Sequence, residues 1–195
     1  MRKITATLVS LLFGVVAYAG PTAVSTEKAD SNNAFYAGET LDYVLKAPTH
    51  FKMITGEASE ARKDGYSFAF IPDSCEYRSA NMLIGVNIYK VRGLAFANVL
   101  TNDTNSIREH YGPDLVIRPL DSISNGSGQQ LTAFYLDNKK QFIANVMTAY
   151  FYGNTELLIL ELSVAPSILR SDAENAFMQC LSRFTVTRRG QLGAK

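Results

Sequence analysis

Phe142-Ile143-Ala144-Asn145-Val146-Met147-Thr148-Ala149-Tyr150-Phe151-Tyr152, then Gly153-Asn154-Thr155, then Glu156-Leu157-Leu158-Ile159-Leu160-Glu161-Leu162-Ser163-Val164 reads as one unit. Two runs rich in β-branched and aromatic residues flank a short turn suited to positive φ, the pattern of a β-hairpin. In the second run Leu158, Leu160 and Leu162 oppose Leu157 and Ile159, so both faces are apolar. A strand apolar on both faces is covered on both sides, which disfavours an open one-layer sheet. Glu161 stands out between Leu160 and Leu162, where an unpaired charge is costly. It pairs with a cation, lies near an exposed strand end, or works as an acid.

Further strands fall outward from this hairpin. Tyr66–Ile71 lies between Asp64-Gly65 and Pro72-Asp73; Met82–Val91 alternates; Leu115–Leu120 follows Gly112-Pro113; Gln130–Leu136 alternates again. The covers are helical. Ala173, Ala176, Phe177, Cys180, Leu181 and Phe184 recur at three- and four-residue intervals, after a Ser171-Asp172-Ala173-Glu174 run with capping-box spacing. Leu94–Tyr111 carries Phe96, Val99, Leu100, Ile107 and Tyr111 at helical spacing, against the turn preference of Thr101-Asn102-Asp103-Thr104-Asn105. His50–Ala61 reads equally as strand or helix.

The chain has 195 residues, long enough for one sizeable core. Lys and Arg number 19 against 18 Asp and Glu, a balance unlike the basic excess of a general nucleic-acid binder. Met1-Arg2-Lys3, an apolar run from Ile4 and the small residues of Ala17-Tyr18-Ala19 predict a cleavable signal peptide over 1–19. The apolar run is shorter than the ~20 residues a membrane-spanning helix needs. A flexible leader over 20–39, a single domain over 40–187 and a basic tail over 188–195 are expected, in a secreted or periplasmic product with no transmembrane segment after cleavage.

Cys75 and Cys180 are the only cysteines. In an oxidising compartment their even count permits one bridge, closing a loop of ~100 residues, for which chain entropy suggests about 4–5 kcal/mol. Both free and buried, or one a nucleophile with His110, are the alternatives; the reading adopted is a structural disulfide.

Other chemistry is sparse. His50 and His110 lie far apart, and Asn102-Asp103-Thr104-Asn105 lacks the glycine and closing glutamate of an EF-hand loop. Asn125-Gly126-Ser127-Gly128 enters a strand, so it reads as a hairpin connection, and no Gly-x-Ser-x-Gly occurs. No catalytic residue, metal or cofactor is assigned. Tyr150 and Tyr152 share a strand face with Phe142 and, with Phe134 or Tyr135, make a candidate recognition patch, although core packing is the default for such stripes.

The order from Tyr66 onward is strand, turn, strand, helix, strands ending in a hairpin, and a final amphipathic helix. It resembles the PsbP-like fold, whose relatives include the photosystem II extrinsic protein, a Ran-binding nuclear import factor and periplasmic DcrB-like proteins. Phe96–Leu100 leading to Ile107–Gly112 looks like the middle helix, Tyr150–Gly153 leading to Leu157–Leu160 like the closing hairpin, and Phe177–Phe184 like the last helix. The resemblance implies an α+β fold, an antiparallel β-sheet flanked by helices on both faces in an α/β/α sandwich. It also implies a binding or assembly factor. The expectation is a non-enzymatic interaction module with a protein partner at the cell envelope, an immunity or inhibitor protein being one variety. An envelope hydrolase using Glu161 and His110, or a small-ligand binder, is the alternative.

Overall fold

The computed structural model describes residues 32–189, apart from 57, 92 and 122. The expected signal peptide, the leader up to residue 31 and residues 190–195 of the tail lie outside the described residues. Strands β1 (Asn33–Ala37), β2 (Leu41–Lys46) and β3 (Phe51–Ile54) come first, followed by the one-turn α1 (Glu60–Lys63) and β4 (Phe68–Pro72). β5 (Met82–Lys90) leads into α2 (Phe96–Tyr111), then β6 (Leu115–Leu120) and β7 (Thr132–Asn138). β8 (Asn145–Tyr152), β9 (Glu156–Val164), α3 (Arg170–Arg183) and β10 (Thr185–Arg188) complete the order.

Seven strands form one sheet, β3-β4-β5-β9-β8-β7-β6, and three form another, β1-β2-β10. All the pairings are antiparallel, so the fold is mixed α+β. The hairpin turn places Asn154 at φ 68°, the left-handed conformation its sequence favours. β9 sits at the sheet's centre and pairs along its whole length with β5, from Met82 opposite Val164 to Lys90 opposite Glu156. β6 is a free edge and carries Arg118 and Pro119.

Alternation divides the large sheet's side chains into two sets. Phe68, Phe70, Ile84, Val86, Ile88, Met147, Phe151, Leu158, Leu160 and Leu162 pack with Phe177, Cys180 and Leu181 of α3 and Phe184 just after it, and with Tyr36, Tyr43 and Leu45 of the small sheet. The opposite set packs elsewhere: Tyr150, Leu157 and Ile159 meet Val99 of α2, while Ile107 of α2 joins Leu115, Leu136 and Ile143. Ala69, Ile71 and Leu83 meet Tyr66 and Tyr77. The turn-prone middle of α2 is helical because Val99 and Ile107 on either side of it pack on the sheet, and Thr101 and Thr104 satisfy their hydroxyls on the carbonyls of Ala97 (2.9 Å) and Leu100 (2.7 Å), one turn earlier.

Three expectations need correction. Asn33–Ala37, within the expected leader, is strand β1, held by pairing with β2 and by burial of Ala34 and Tyr36. Ser171 is not a cap: α3 starts at Arg170 with Leu169 at the N-cap, and Glu174 instead accepts from Arg170 Nε at 3.1 Å. The Cys75–Cys180 disulfide is absent, and both thiols are free. Cys180 is buried with the α3-facing set, whereas Cys75 packs on the cluster of Ala69, Ile71 and Leu83. Adjacent residues of β4 and β5 point to opposite sides, so the sheet stands between the two sulfurs.

One further element is fixed by the Asn125–Gly128 connection. The Gly126 amide donates to Phe184 O at 2.7 Å, and the Ser127 hydroxyl both donates to Val186 O (3.1 Å) and accepts from Val186 N (2.9 Å). The glycine-rich loop therefore fastens β10 to the large sheet.

Candidate functional site

Two arrangements stand out, an open cleft beside the β7–β8 connection and a group of acids and tyrosines beneath α2. The cleft begins with Asn138 at the end of β7. Its Oδ1 accepts from the amides of Lys140 (3.0 Å) and Gln141 (3.3 Å), and its Nδ2 donates to Tyr111 O at 3.2 Å. This side-chain turn tucks Ile143 into the core and leaves Phe142 54% exposed. Ile143, Val146, Val164 and Ile168 form an apolar floor, and Lys139, Lys140, Arg170 and Asp137 line the rim of a space of ≈ 460 Å³.

Arg170 is fastened by the Leu136 carbonyl (3.0 Å), Glu174 (3.1 Å) and Asp137 (3.8 Å), and its guanidinium lies 5.6 Å from the Tyr135 ring centre. Lys140 pairs with Asp114 at 3.0 Å. Leu169, between lining residues Ile168 and Arg170, is 69% exposed. The lining thus offers three cations against one carboxylate, next to apolar surface that water covers poorly.

Beneath α2, Tyr150 donates its hydroxyl to Asp103 Oδ2. Asn145 Nδ2 donates to Glu161 Oε1 at 3.4 Å. Glu161 faces Gly85 across the β5–β9 ladder, and a Cβ at Gly85 would overlap the Tyr66 ring. Tyr66 in turn hydrogen-bonds the Ser163 hydroxyl, and Tyr111 the Asn145 backbone. Burial, then the neighbouring Asp103, pushes the Glu161 carboxyl up to about 8. Burial also raises Asp103, against the lowering effect of the Tyr150 hydrogen bond. Tyr66, Tyr111 and Tyr150 are raised as well, by burial first and then by the adjacent acids.

The expected recognition patch does not form as one exposed surface. Tyr150 is 1% exposed beneath α2; Tyr152 stacks on Phe96 at 5.4 Å and donates to Leu94 O at 2.9 Å. Phe134 meets Tyr150 edge-on at 6.1 Å, while its sequence neighbour Tyr135 is on the other side, between Arg118 and Arg170. Side-chain alternation groups the aromatics as the sequence suggests, but α2 covers them. His110 and Glu161 are not brought together: His110 is exposed, edge-on to Tyr111 at 4.7 Å, while Tyr111 is the residue that faces Glu161. Among the described residues no group of three or more His, Cys, Asp or Glu is placed to hold a metal ion. Asp103 was missed as a partner of Glu161 because turn chemistry masks its helix; Phe142 was grouped with the hairpin, whereas β8 starts three residues later.

The architecture defines a mixed α+β protein with antiparallel sheets and few helices. The structure is similar to the solution structure of cyanobacterial PsbP (CyanoP) from Synechocystis sp. PCC 6803, with a TM-score of 0.47 and 12% identity. The match covers 86% of this chain and 100% of that one. No family model matches the chain, and no curated protein matches it significantly.

Proposed function

We propose that this chain is a non-enzymatic interaction or assembly module of the cell envelope that binds a protein partner at the β7–β8 cleft. The observation that supports this reading is the exposed Phe142 above an apolar floor, beside Lys139 and Lys140. An aromatic anchor next to cations suits a partner segment that presents an apolar side chain flanked by carboxylates. The signal-peptide pattern of residues 1–19 supports an envelope or secreted location, and no helix among the described residues is long and apolar enough to cross a membrane.

A photo-crosslinking residue placed at Phe142 in the full chain, in its native envelope, tests this. A discrete protein product from position 142 is expected, absent from the exposed control position Asp73 and lost with Lys139→Glu and Lys140→Glu. Equal labelling from both positions, no product, or a product indifferent to the lysines would overturn the reading. A small-molecule ligand is the competing occupant, since the volume suits one; displacement of the product by a metabolite pool, with no protein partner, would favour it instead.

A further inference from the structure

We propose that the contact between α2 and the large sheet is a proton-dependent clasp: α2 stays seated while at least one of Asp103 and Glu161 is protonated, and loosens when both carry charge. The geometry that points to it is the placement of two carboxylic acids on the two sides of the α2–sheet packing: Asp103 on α2 accepts from Tyr150, which stands opposite Ile159, two residues from Glu161 on the same face of β9. Each is only part-exposed. Asp103 is held by the Tyr150 hydroxyl and Glu161 by the Asn145 amide, all neutral donors.

The titratable groups that face Glu161 are Asp103 and Tyr111 from α2, Tyr150 from β8 and Tyr66 from the segment before β4. None is a cation, and the ion pairs among the described residues join other groups. Two acids that share a poorly hydrated site without a counter-charge resist double ionisation. Their shared behaviour belongs to the pair.

Relief is mechanical. α2 is joined to the sheet through Val99 and Ile107, with Phe96, Leu100 and Tyr111 packed around them in two small clusters, so lifting it hydrates both acids at the cost of opening those two clusters while the main core stays closed. What it uncovers is Phe134, Tyr150 and Tyr152. The sign follows from linkage: a carboxyl raised in the seated state, and ordinary once hydrated, favours seating at low pH. That preference is lost as pH rises towards the Glu161 value near 8, and is constant above it.

Hydrogen exchange of the α2 amides, corrected for intrinsic rates, reads the seating equilibrium between pH 6 and pH 9 in the full chain. In the wild type the opening constant is expected to rise on the order of a hundredfold over that interval, with β5 and β9 amides unchanged. Glu161→Gln, which mimics the protonated acid, should hold opening at its low-pH value throughout. Carbon-13 titration of the labelled Glu161 carboxyl gives a second readout that does not depend on a variant folding. Opening that does not change with pH in the wild type, opening in Glu161→Gln that still climbs, or a Glu161 carboxyl titrating in the ordinary range would each overturn the clasp.

Discussion

Truncating Glu156 should be the most destabilising single change on the β8–β9 hairpin. The side chain is 0% exposed at the start of β9 and accepts three hydrogen bonds: from the Glu39 amide at 2.6 Å, the Tyr43 hydroxyl at 3.0 Å and the Thr155 hydroxyl at 2.6 Å. Tyr43 is itself fully buried, and burial followed by the nearby Glu156 raises its hydroxyl above the ordinary tyrosine range. In Glu156→Ala the Tyr43 hydroxyl and the Glu39 amide lose their acceptor, at about 1–3 kcal/mol each, and the vacated volume adds to that. A total of about 3–5 kcal/mol follows, in line with breaking other buried charged networks, and lowers Tm by about 6–20 °C in a chain of this size. Circular dichroism melts of wild type, Glu156→Ala, Tyr43→Phe and the double variant decide it. The double variant should cost less than the sum of the singles, because Tyr43→Phe removes the orphaned hydroxyl. A Tm loss below about 3 °C for Glu156→Ala, or strictly additive singles, would refute the reasoning.

Other outcomes follow from the same structure. Gly85→Ala should cost about 1–3 kcal/mol in urea unfolding by driving a methyl into the Tyr66 ring, and adding Tyr66→Leu should recover part of it; an unchanged midpoint for Gly85→Ala would contradict the packing. Thiol titration without reductant should find two reactive thiols in denaturant. In the native state Cys180 should be silent, since burial pushes its thiol up to about 12; finding no thiol in denaturant would restore the disulfide. Phe142 is exposed on a loop, so Phe142→Ser should leave Tm within about 1–2 °C; a larger loss in a circular dichroism melt would show that the ring supports the fold.

How far the residues alone disclose the fold depends on the range of the interactions. The hairpin and the strands Met82–Lys90 and Leu115–Leu120 are written locally, in turn chemistry and alternation, and the structure has them within a few residues. The small sheet is not: β2 pairs with β1 on one side and with β10, Val44 to Thr185, on the other, and neither short strand shows a pattern of its own. Cysteine counting failed for a related reason. An even number says that pairing is allowed, while the side of the sheet each thiol occupies depends on register. The Ser171 motif has the right spacing, yet Arg170 already belongs to the helix and takes Glu174 for itself. Glu161 was conspicuous from its apolar neighbours. Its counterpart Asp103 lies far away in sequence, in a segment rich in cap and turn formers, and only packing joins them.

The free edge of β6 has a bearing on how this protein survives crowding. An unpaired strand edge invites another chain to add to the sheet. Here Pro119 has no N–H to offer an incoming strand, and Arg118 is a charge that a second identical edge would have to face. A molecule that displays Phe142 and Leu169 to solvent gains by this arrangement: recognition can be sticky at one place because the backbone refuses polymerisation at another. Replacing Pro119 would thus be felt less in the fold of one molecule than in the colloidal behaviour of many.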